Sequence, residues 1–123
     1  MQVTHVFAGV ATRDFPAALA WYERLFGRAP DRFPHDAEAV WQLTDTGLIY
    51  LVADPESAGR AVITLIVEDL EAWQAEIAGR GIRAGGVEGL GEGARRVSIL
   101  DPDGNRISVA EVPHPRHRYP GEQ

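Results

Sequence analysis

Cysteine is absent from all 123 residues, which removes disulfides, thiolate metal sites and a cysteine nucleophile together and leaves the redox compartment unspecified. Positive charge is in deficit: 12 basic side chains stand against 18 acidic ones, a net −6. The resulting field repels phosphate, so nucleic acid and anionic membrane are not expected partners, whereas a neutral or cationic small molecule is compatible. Long hydrophobic runs are also missing. The longest apolar stretches, such as Ala61 to Val67, are far too short to span a bilayer. Met1 to His5 carry neither a basic region nor an extended apolar segment, so the cytoplasm is the expected location. No serine, histidine and acid fall in a nucleophile-elbow pattern, which leaves hydrolase chemistry without support. The glycine-rich run Gly85–Gly93 lacks both the Lys-Ser/Thr ending and the following helix that would make it a phosphate loop; it reads as a flexible hairpin loop able to cover a groove.

What is present fits one domain. At 45% hydrophobic, a chain of this length buries about two-thirds of its unfolded surface. Val3 to Ala11 reads as a strand, Asp14 as an N-cap with Pro16 in the first turn, and Phe15, Ala18, Leu19, Tyr22, Leu25 and Phe26 recur at helical spacing before Gly27. Strand candidates follow near Asp31 to Pro34, at Ala39 to Thr44 and at Leu48 to Ala53, with Asp45-Thr46-Gly47 as a hairpin turn. Asp54 to Gly59 is rich in turn residues and marks an internal boundary. The order then repeats: strand Ala61 to Val67, N-cap Asp69, an apolar helical face of Leu70, Trp73 and Ile77, and stops at Gly79 and Gly81. Strands are expected at Ile82 to Val87, Ala94 to Leu100 and Arg106 to Val112, the last two joined by Asp101-Pro102-Asp103-Gly104-Asn105. The two caps lie 55 residues apart. The expected fold class is therefore α+β, with two βαβββ repeats, about 1–54 and 60–113, forming curved mixed sheets around a groove. Residues 114–123 form a C-terminal tail without periodicity.

The run Asp14-Phe15-Pro16-Ala17-Ala18-Leu19-Ala20-Trp21-Tyr22-Glu23-Arg24-Leu25-Phe26-Gly27 resembles the first-helix signature of the vicinal oxygen chelate superfamily, and Asp101-Pro102-Asp103-Gly104-Asn105 resembles its last hairpin. That superfamily contains glyoxalase I, extradiol dioxygenases, fosfomycin-resistance enzymes and bleomycin-resistance proteins. The resemblance implies a glyoxalase/bleomycin-resistance-like fold whose metal-using members place ligands on the first and last strands of each unit. Carried onto this chain, those positions are Phe7, Tyr50, Val62 and Ser108. Phenylalanine and valine have no donor atom, and neutral serine and tyrosine hydroxyls are poor ligands for divalent ions. The expectation is a member with no metal site and no cofactor.

Phe7, Tyr50, Val62 and Ser108, with Trp41, His5 and Arg96, form the candidate ligand pocket. His5 shares strand parity with Phe7, yet it has no acidic or histidine partner at ligand spacing and reads as structural. Phe7, Tyr50, Val62 and Trp41 serve equally well as pocket lining or as core. Arg95 and Arg96 point to opposite faces of one strand and read first as a solvated edge, with an anchor for an anionic ligand group in the groove as the second reading. Trp21 and Trp73 belong to helix packing. His114 and His117, between prolines and arginines in the tail, would bind metal only adventitiously. The first functional reading is binding of a small organic ligand of unknown identity, without metal, catalysis not expected, in a homodimer. The second is a metal-dependent lyase, isomerase or dioxygenase, which requires His5, Glu111 or another acid to converge. The third is a protein-association domain without a ligand.

Overall fold

The computed structural model describes residues 1–113, so the expectations for the tail from His114 onward fall outside it. The first unit comprises β1 (Val6–Thr12), α1 (Phe15–Phe26), β2 (Arg32–His35), β3 (Glu38–Gln42) and β4 (Gly47–Ala53). The second repeats it with β5 (Val62–Ile66), α2 (Leu70–Gly79), β6 (Glu88–Gly91), β7 (Ala94–Leu100) and β8 (Arg106–Glu111). Each unit makes a four-stranded mixed sheet, ordered β1-β4-β3-β2 and β5-β8-β7-β6. In each, the parallel pair comes from the strands farthest apart in sequence, because the helix supplies the crossover between them.

Local chemistry sets both helices. The Asp14 and Asp69 side chains accept the amides of Ala17 at 3.2 Å and Ala72 at 3.0 Å, satisfying donors that have no partner inside the helix. Gly27, at φ 73°, ends α1 in the left-handed conformation. After α2, Gly81 at φ 84° lets the amides of Gly81 and Ile82 return to the carbonyls of Ala78 and Ile77, a Schellman closure that turns Ile82 into the core. Arg80 reaches across to the last turn of α1 and donates to the carbonyls of Arg24 and Leu25. A cation there also complements the negative end of the helix dipole.

One face of each sheet is covered by helix. Val10, Trp41 and Leu51 from the first sheet, Val97, Ile99, Ile107 and Val109 from the second, and Ala18, Tyr22, Leu25, Leu70 and Ile77 from the helices join in a single core cluster. Both covered faces feed the same core, so the opposite face of each sheet lies on the outside of the molecule.

The sixth strand departs from expectation. Ile82 to Val87 is not a strand; β6 lies at Glu88–Gly91, inside the glycine run taken as a free loop. Ile82 is claimed by the end of α2, and the hairpin with β7 closes through Glu92 and Gly93, with φ of 54° and 82°. That backbone shape matches the strand twist and needs residues that tolerate positive φ, which this run supplies. The outer rims are weak strands: β2 contains Pro34 and pairs irregularly with β3, and β6 has four exposed residues.

The last hairpin turns at Asp101-Pro102-Asp103-Gly104, closed by the Gly104 amide on the Asp101 carbonyl at 3.0 Å. Gly104 sits at φ 92° with nothing within 4 Å of where a Cβ would be. Gly104→Val is therefore expected to cost about 1 to 3 kcal/mol through backbone strain alone, readable as a lower urea midpoint with unchanged m-value.

Candidate functional site

Strand alternation decides what each open face presents. On the first sheet, Phe7, Gly9 and Ala11 of β1 share a face with Leu48, Tyr50 and Val52 of β4, and with Val40 and Gln42 of β3. Trp41 has the opposite parity. It is fully buried on the helix side, with its indole N–H on the Arg28 carbonyl at 3.1 Å and its ring against Phe26 and Tyr22. Its proposed place in a pocket is therefore corrected: Val40 and Trp41 are both apolar, so residue type alone does not say which one faces inward.

Phe7 and Tyr50 are brought together, their rings 6.4 Å apart and tilted by 52°. Tyr50 lies across β1 over Gly9; a Cβ at position 9 would fall 2.5 Å from its ring and hydroxyl. Glycine is needed there so that the phenol can lie down. The aromatic pair separates two hollows on this face. One, of about 340 Å³, is lined by Gly9, Ala11, Tyr50, Val52, Asp54, Ser57 and Ala61. The other, of about 300 Å³, is lined by His5, Phe7, Arg32, Gln42 and Leu48. Gly9, Arg32 and Asp54 were not singled out from sequence. Parity with Phe7 was a signal for Gly9, but Arg32 sits on a strand too weak to assign a face, and Asp54 sits in the loop taken only as a boundary.

The open face of the second sheet carries Val62, Thr64 and Ile66 of β5, Arg106, Ser108 and Ala110 of β8, and Arg96, Ser98 and Leu100 of β7. Ser108 is buried, its hydroxyl 3.1 Å from that of Ser98. Val62 is 70% exposed. Arg96 is tied to its cross-strand neighbour Glu88 at 3.2 Å. His5 is exposed, and its ring nitrogen lies 3.1 Å from the Thr4 hydroxyl. Glu111 is on the helix side, accepting the Leu70 amide at 2.8 Å and pairing with Arg95 at 3.2 Å, so it caps α2 and does not converge with His5. Phe7 and Tyr50 thus stand on one sheet, Val62 and Ser108 on the other. Among the described residues, the hollows of the first sheet take no lining from the second sheet's open face.

Among the described residues no three histidine, aspartate or glutamate side chains come together. The side chains at the four inferred ligand positions do not fit a divalent ion, and no step through a metal is derived. No helix among the described residues is long and apolar enough to cross a membrane.

Two four-stranded mixed sheets, each from a βαβββ unit, agree with the family match: residues 2–109 match the Glyoxalase/Bleomycin resistance protein/Dioxygenase superfamily, and the chain belongs to that superfamily. Among solved structures, a glyoxalase/bleomycin resistance protein from Catenulispora acidiphila is 51% identical with TM-score 0.84, over 89% of this chain and 98% of that one. A bleomycin-binding protein in complex with bleomycin shares the fold at 23% identity and TM-score 0.72, over 88% and 98%. An antibiotic-binding protein from Streptomyces does so at 24% and 0.72, over 90% and 98%. Curated proteins give no match.

Proposed function

We propose that this protein binds a small organic molecule on its open sheet faces without a metal ion, and that a second copy completes the groove by laying its second sheet over the first sheet of its partner. The observation that carries the reading is the character of those faces. Phe7, Val62, Ile66 and Leu100 are 50%, 70%, 49% and 64% exposed, and Phe7 with Tyr50 supplies an aromatic platform beside a hollow. Apolar surface of this kind is lowered in free energy by covering it, at about 25 cal/mol per Å². The fold relatives that bind bleomycin and another antibiotic support a small-molecule role.

Metal analysis after dialysis tests one half: a stoichiometric retained ion overturns it. Light scattering behind gel filtration tests the other, with a mass of twice 13.4 kDa expected. Val62→Asp combined with Leu100→Glu should return that mass to the single-chain value while leaving the far-UV spectrum intact, since both side chains are mainly in solvent. A monomeric wild type sinks the paired groove. The Tyr50 ring occupying part of its own face favours a purely associative role; a stable dimer that binds no member of an aromatic ligand panel would select that reading.

A further inference from the structure

The hollow between the start of β1 and the β2–β3 rim differs in chemistry from its neighbour. Its floor is apolar, from Phe7 and Leu48, and its wall carries Arg32, Gln42 and His5. Register explains why Arg32 has no cross-strand ion-pair partner there. Each hairpin has one cross-strand pair of acid and base, Glu88 with Arg96 at 3.2 Å in the second unit and His35 with Glu38 at 3.0 Å in the first. In the first unit Arg32 stands opposite Val40, which offers nothing to bind, and Arg32 forms no ion pair among the described residues. Asp31, next to it in sequence, is already committed: one oxygen accepts from Arg28 at 3.0 Å and the other from the Gln42 amide at 2.6 Å. Those bonds hold the Asp31 carboxyl below its ordinary range, the Gln42 amide first and Arg28 second. The Gln42 side-chain amide donates to the Asp45 carbonyl at 3.1 Å.

A guanidinium without an ion-pair partner among the described residues, beside an aromatic floor, favours one kind of guest. We infer that this hollow is a subsite for a planar organic anion, an aryl carboxylate or sulfonate whose ring lies on Phe7 and Leu48 and whose charged group meets Arg32. The guanidinium fork suits a planar anion in two parallel bonds, and a charge-assisted bond of this type is stronger than a neutral one. The inference rests on the reading of the open faces as ligand-binding and adds the sign and shape of the guest.

The test is an amide NMR titration of the full chain with naphthalene-2-carboxylate, with naphthalen-2-ylmethylammonium and naphthalen-2-ylmethanol as charge controls. The carboxylate should shift the amides of Phe7, Gln42 and Leu48, and bind about tenfold more weakly to Arg32→Gln. Arg83→Gln, at an exposed arginine on the connection after α2, should bind as wild type does. Equal affinity in Arg32→Gln and wild type, or shifts confined to other parts of the chain, would overturn the subsite. If the ammonium or alcohol compound moves amides around Tyr50 while the carboxylate moves none, the subsite fails and the ligand-face reading stands. If none of the three moves an open-face amide, both fail.

Discussion

Asp101→Ala is expected to destabilise the fold by about 3 to 5 kcal/mol, as measured by urea unfolding. The Asp101 carboxylate is 5% exposed and accepts four hydrogen bonds: the Tyr22 hydroxyl at 2.7 Å, the Asn105 side-chain amide at 2.8 Å, and the backbone amides of Asp103 and Asn105 at 2.9 Å each. Alanine would leave buried donors without partners, and an unsatisfied buried donor costs more than its bond contributes. The network also links the units, because Tyr22 lies on α1 and Asp101 at the end of β7. Asn105 extends the link: its amide donates to the Ala11 carbonyl at 3.1 Å while its oxygen accepts the Ala61 amide at 2.9 Å, bridging the ends of β1 and β5. Graded variants separate the contributions. Tyr22→Phe removes one donor and leaves the carboxylate three partners, so it should cost about 1 kcal/mol. Asp101→Asn should fall between the two, since its amide would point a donor at another donor.

The same contact makes a pH prediction. Burial, and then the hydrogen bond to Asp101, push the Tyr22 phenol far above its ordinary range. A group whose folded pKa is raised contributes stability that is whole below its unfolded pKa and lost above it. Unfolding free energy should therefore decline as pH rises past about 10, where the phenol ionises in the unfolded chain. Tyr22→Phe should flatten that decline; an alkaline limb of equal slope in both proteins would contradict the assignment.

Gly59→Ala should cost more than the same change at Gly104, although both glycines have φ near +90°. At Gly59, φ is 87°, and an added Cβ would fall 2.7 Å from the Asp103 carbonyl oxygen. Strain of about 1 to 3 kcal/mol is then joined by a clash of similar size with rigid backbone, giving about 2 to 6 kcal/mol in all. The clash is with the segment that docks the second unit on the first: Asp103 accepts the Thr12 hydroxyl at 2.5 Å and the Arg13 amide at 3.0 Å. Melting temperatures of the two alanine variants give the comparison. Equal losses would mean that the loop gives way freely at Asp103.

Where information is local, the sequence was readable. Asp14 and Asp69 each precede an apolar helical face, and a cap acts within three residues, so both helix starts lie where expected. The turn at Asp101 to Asn105 was legible for the same reason. Information that depends on a partner strand was not. Glycines near β6 carry no propensity, and pairing with β7 alone selects Glu88–Gly91. The face of Trp41 is decided by the register of β3 with β4, which puts it opposite Ile49 and under α1. The setting of Arg32 depends likewise on what stands opposite it, Val40 rather than an acid.

The construction of β2 and β6 bears on how copies of this molecule can meet. A bare sheet rim ordinarily invites another chain to add on, backbone to backbone, and so to propagate without end. Here Pro34 withholds an amide at one rim, while glycines and a carboxylate make the other a poor template. Elongation into fibrils is thereby discouraged at the β2 and β6 rims, which leaves β1 and β5 as the edges with regular strand geometry.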